Sequence, residues 1–67
     1  MLYAEWSGKR VVIRTEAKQF VRQINAHCDV IGVQVSGDST SDAMVAIAMS
    51  NGKTDLYRSS GQIVRRG

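Results

Sequence analysis

One cysteine, Cys28, leaves this chain no internal disulfide, and one histidine, His27, leaves no Cys/His set that could hold a structural zinc. Its 67 residues must therefore hold together by packing, at a size where folding buries only about 60% of the surface of the unfolded chain. Self-association is the simplest source of further burial. No apolar run approaches the ~20 residues that span a bilayer, and the first residues lack the basic segment and apolar block of a secretory signal. With a lone thiol besides, the reading is a cytoplasmic protein with no membrane partner.

Groupings that would carry catalysis are missing as well. Asp29, Asp38, Asp42 and Asp55 are too dispersed to pair as acid and base. "HCD", residues 27–29, gathers suitable residue types, but consecutive side chains on a helix diverge by about 100°, so His27 and Cys28 would not face one substrate or one metal. Gly52-Lys53-Thr54 looks like the end of a phosphate-binding loop, yet the glycine required five positions earlier is Ile47, and no helix pattern follows. In "GVQVSGDS", Asp38 stands where such a loop needs a lysine. The expectation is a protein without turnover, cofactor or metal.

What is present is the composition of a folded chain, 43% hydrophobic with scattered charge. A net charge of +3 and a pI near 9.5 are a mild basic excess that raises nucleic acid as a partner without establishing it.

Patterning then suggests elements. "LYAEWSGKRVVIR" reads as a hairpin with Ser7-Gly8 at its turn, which sets Glu5 opposite Arg10. Alternation sends Leu2, Ala4, Trp6, Val11 and Ile13 to one face and Tyr3, Glu5, Arg10, Val12 and Arg14 to the other. "TEAKQFVRQINAHC", 15–28, has helical spacing: Thr15 as N-cap, Ala17, Phe20, Val21, Ile24 and Cys28 along one stripe, and Lys18, Arg22 and Asn25 opposite. "DVIGVQVSG" returns to period two, with Ile31, Val33 and Val35 facing the core and Val30, Gly32 and Gln34 facing away. "GDSTSD" is a loop. Asn51-Gly52 signals a two-residue type I′ turn that puts Val45, Ile47, Met49 and Leu56 in the core and turns Ala46, Ala48 and Tyr57 outward. The alternative for 42–50 is a short helix with Ser41 as N-cap. Residues 62–64 suggest a short edge strand, followed by Arg65 and Arg66.

Together these predict an α+β fold, an antiparallel sheet of four or five strands (two hairpins plus a middle strand) against one amphipathic helix. The sheet face away from that helix is oddly apolar for a surface in water. Tyr3, Arg10, Val12, Arg14, Ala46, Ala48 and Tyr57 are the expected contact residues for a protein partner, which includes a second copy of the chain in a homodimer. The implied role is a regulator or inhibitor. The alternative partner is single-stranded DNA or RNA, with bases stacked on Tyr3 and Tyr57 and phosphates held by Arg10, Arg14 and Lys18, with Arg22, Arg65 and Arg66 as further contacts.

Overall fold

A computed structural model describes all of residues 1–67. It contains no helix, and the α+β expectation is wrong: the fold is all-β. Seven strands run in the order β1 (Leu2–Ser7), β2 (Arg10–Thr15), β3 (Phe20–Asn25), β4 (Val30–Ser36), β5 (Met44–Met49), β6 (Thr54–Arg58) and β7 (Ile63–Arg65). They form two antiparallel meanders, a first sheet β1-β2-β3 and a second β4-β5-β6-β7. The sheets meet along β1 and β4. One apolar cluster lies between them, contributed by Leu2, Val11, Ile13 and Ile24 from the first sheet and Val30, Val45, Ile47, Met49 and Tyr57 from the second.

The predicted helix over 15–28 is replaced by a tight turn and a strand. Lys18 N–H donates to Thr15 O at 2.8 Å and Thr15 N–H to Gln19 O at 3.0 Å, which closes the β2–β3 hairpin. Lys18 stands at φ 67°, a left-handed conformation that ends any right-handed helix at that point. A helix would have satisfied its own backbone but left the outer edge of β2 unpaired. As a strand, β3 fills that edge and sets Ile24 against Val11 in the core. The strand pattern is faint because Ile24 is its one buried residue, while Phe20 is 61% exposed and Val21 is the extra residue of a bulge opposite Ile13 and Arg14.

Two hairpins turn one residue away from the expected place, with opposite consequences. In the first, the turn is Gly8-Lys9, with Gly8 at φ 59° in the first central position, as a type II′ turn requires. Trp6 then pairs with Val11 and Glu5 with Val12, a shift of two residues that keeps every side chain on its expected face. In the second, the loop holds three residues, 50–52: Gly52 N–H donates to Met49 O at 3.1 Å and Met49 N–H to Lys53 O at 3.0 Å, with Gly52 at φ 84°. This pairs Ile47 with Asp55 and Val45 with Tyr57, a one-residue slip that turns β6 over. Tyr57 and Asp55 are interior, and Leu56 faces out.

The strand reading of 42–50 holds, and the short-helix alternative does not. In β4 a bulge between Val30 and Gly32 sends Val30 inward and leaves Ile31 66% exposed, the reverse of the expected pair. Gly32 and Gln34 remain outward beside Ala48 and Ala46, and the short edge strand is present as β7. The loop after β4 is anchored by Ser59, whose buried hydroxyl donates to Ser39 O at 2.9 Å and accepts from Ala43 N–H at 3.1 Å.

Candidate functional site

The expected contact residues do not share one surface, because the chain builds two sheets instead of one. Tyr3, Arg10, Val12 and Arg14 lie on the outer face of the first sheet. Ala46 and Ala48 lie on the outer face of the second, beside Gly32, Gln34 and Thr54, around a shallow dent of about 330 Å³. Tyr57 lies on neither. At 7% exposure it belongs to the core, so its expected role as a surface anchor is withdrawn.

The outer face of the first sheet is the more chemically distinctive. Register places Phe20 beside Arg14, Gln23 beside Val12 and Asn25 beside Arg10. A depression of about 230 Å³ is lined by Glu5, Trp6, Ser7, Arg10, Val12 and Arg14. Phe20, 61% exposed, was missed as a site residue because helical spacing placed it on a helix stripe. Trp6, 42% exposed, pairs with Val11 on the core side of the sheet, where alternation put it.

Charge is divided unevenly between the sheets. Residues 1–28 hold five Lys and Arg against two Glu, whereas 29–67 hold four against four Asp, so the whole net charge of +3 falls on the first. Its two acids are also engaged. Arg14 Nε donates to Glu5 Oε1 at 2.9 Å, a diagonal pair that replaces the expected Glu5–Arg10 one. Glu16 lies 3.5 Å from the Met1 ammonium, which Asp38 approaches at the same distance. Desolvation pulls the pKa of that ammonium down, but the charges and hydrogen bonds of Asp38 and Glu16 outweigh it and hold the group above its ordinary value. Lys9, Arg10, Lys18 and Arg22 have no acid within ion-pair distance.

The other expected nucleic-acid contacts scatter. Lys18 sits at the end of the first sheet's outer face, where its carbonyl accepts from Arg14 Nη1 at 3.3 Å. Arg22 pairs with Ile13 on the opposite side, and its side chain runs over Gly61, with Cδ 3.3 Å from where a Cβ would stand. Arg65 pairs with Leu56 on the second sheet.

Arg66 helps line a third depression, of about 320 Å³, with His27, Asn51, Lys53, Asp55 and Gly67 among its walls. Asp55 is 1% exposed; its Oδ1 accepts from Gly67 N–H at 3.0 Å, and its Oδ2 has no partner. None of the surrounding basic groups comes within ion-pair distance of it. A buried oxygen left unpaired costs about 1–3 kcal/mol, and more when charged. Asp55→Asn keeps the acceptor for Gly67 and removes the charge, so urea unfolding at neutral pH is expected to show a gain of about 1–3 kcal/mol. A loss of similar size would mean that the carboxylate has a partner.

No three His, Cys, Asp or Glu side chains gather as metal ligands. No family model, curated protein or solved structure matches the chain.

Proposed function

We propose that this protein binds single-stranded nucleic acid, without turnover, on the outer face of β1–β3. The observation that carries the reading is the coincidence on one sheet of the entire net positive charge with two aromatic rings on its outer face, the exposed ring of Phe20 and the half-buried ring of Tyr3. Arg10 and Lys9 contact phosphates, Arg14 does so while tied to Glu5, and bases stack on the aromatic rings. An open sheet face offers no helix or ribbon to a duplex groove, and stacking requires unpaired bases, so single strands are preferred. Titrating a fluorescent oligonucleotide against the protein at several salt concentrations tests this. Three or four phosphate contacts give a slope of log K against log salt of about −2 to −3. A flat response speaks against it.

A second reading keeps the protein partner, for a regulator or inhibitor that self-associates. The outer face of the second sheet favours it: Ala46, Ala48 and Gly32 form an uncharged, small-residue surface on the half of the molecule with no net charge, whereas the first sheets of two copies repel. Sedimentation of the wild type and of Ala48→Glu distinguishes them. A dimer that dissociates in the variant supports this reading, and a wild-type monomer at high concentration removes it. No helix is long and apolar enough to cross a membrane. The free thiol of Cys28 suits a reducing compartment, for which we propose the cytoplasm.

A further inference from the structure

Three of the hairpins close in the same way, with a three-residue loop whose last residue is left-handed. That residue is Gly52 at φ 84° between Met49 and Lys53, Gly61 at φ 95° between Arg58 and Gln62, and Lys18 at φ 67° between Thr15 and Gln19. Glycine adopts this conformation freely, and lysine is not among the residues that tolerate it well. Two turns use the unstrained residue, and the third does not.

No hydrogen bond or ion pair of the fold accounts for the exception. The hydrogen bonds that Lys18 makes are those of its backbone, the N–H donating to Thr15 O and the carbonyl accepting from Arg14 Nη1, and glycine would make both. Its ammonium has no hydrogen bond and no ion pair, since the adjacent acid, Glu16, is engaged by the Met1 ammonium. The side chain is exposed, at the end of the face that carries Arg14 and Phe20. Strain of this kind is held in place by the surrounding structure and clusters at functional sites.

We propose that Lys18 is a phosphodiester contact that holds the end of a bound single strand, retained there at the expense of stability. This rests on the nucleic-acid reading of the same face. Lys18 continues the row of cations from Arg10 through Arg14 and, unlike Arg14, is not fixed by an acid. The bound strand therefore runs along β2 toward the β2–β3 turn, with one phosphate at the turn itself.

The test compares Lys18→Gly, Lys18→Arg and, as a control on the other sheet, Lys53→Gln. Relief of strain raises the melting temperature of Lys18→Gly by about 4–8 °C, while its salt slope for a single-stranded oligonucleotide becomes shallower by about 0.7, the value of one phosphate contact. Lys18→Arg keeps the wild-type slope, and so does Lys53→Gln. Wild-type binding with an unchanged slope in Lys18→Gly overturns the contact, and a melting temperature that does not rise overturns the strain. If the wild type binds no oligonucleotide at all, the reading of the whole face fails and takes this inference with it.

Discussion

Tyr57→Glu is expected to abolish cooperative folding, whereas Leu56→Glu leaves a folded protein. The contrast follows from the three-residue loop at 50–52, which places Tyr57 opposite Val45 inside the core and turns Leu56 out. Putting an unpaired carboxylate among Val45, Ile47 and Met49 costs several kcal/mol, besides the lost packing of the ring. A domain of this length has about 3–10 kcal/mol in all, at about 0.05–0.15 kcal/mol per residue. At Leu56 the new carboxylate reaches water beside Arg65, so a change within about 1 kcal/mol is expected. Thermal unfolding followed by circular dichroism reads both. A two-residue Asn51-Gly52 turn would exchange the two outcomes, so the pair of variants tests the register directly.

Removing the stacking rings is expected to have the largest effect on binding. Tyr3→Ala with Phe20→Ala should weaken single-strand affinity about 30-fold or more, because each stacked base contributes about 1–3 kcal/mol and each 1.4 kcal/mol is about tenfold. Arg10→Glu should add a further loss that shrinks as salt is raised. Phe20 and Arg10 are exposed, and Arg10 has no ion pair to lose, so the unfolding midpoint should change little beyond the contribution of the partly covered Tyr3 ring. Affinity unchanged in a folded Tyr3/Phe20 variant would leave the aromatic rings without a role. The unfolding midpoint measured on the same samples separates loss of the site from loss of the fold.

Much of the core was legible because period-two alternation survives errors in the turn. Leu2, Val11 and Ile13 were assigned inward from a hairpin whose pairing is off by two residues, and an even shift does not change faces. The same logic failed in β6. Asn51-Gly52 reads as a two-residue turn, but Ser50 joins the loop and Gly52 alone takes the left-handed position, so an odd shift inverted Leu56 and Tyr57. The bulges at Val21 and Ile31 leave no local mark, since a β-branched residue is as welcome in a strand as in a bulge.

The helix over 15–28 was the larger error, and its cause is tertiary. Those residues have good helical spacing, and what overrides it is the open edge of β2, which no local pattern reports. The candidate site suffered from the same cause. Arg10, Val12 and Arg14 were legible from alternation in one hairpin, whereas Phe20 reaches that face only because β3 is a strand. Joining Ala46, Ala48 and Tyr57 to the same surface assumed a single sheet, and the chain divides between two.

Salt-dependent binding of a fluorescent single-stranded oligonucleotide to the wild-type chain is the most direct measurement of the central claim, that the basic aromatic face of β1–β3 is a nucleic-acid surface. Dissociation constants of about 1–100 μM at moderate salt, tightening as salt falls and weaker for duplex of the same length, are expected. An oligonucleotide that stays free at low salt, with the protein folded, would contradict it.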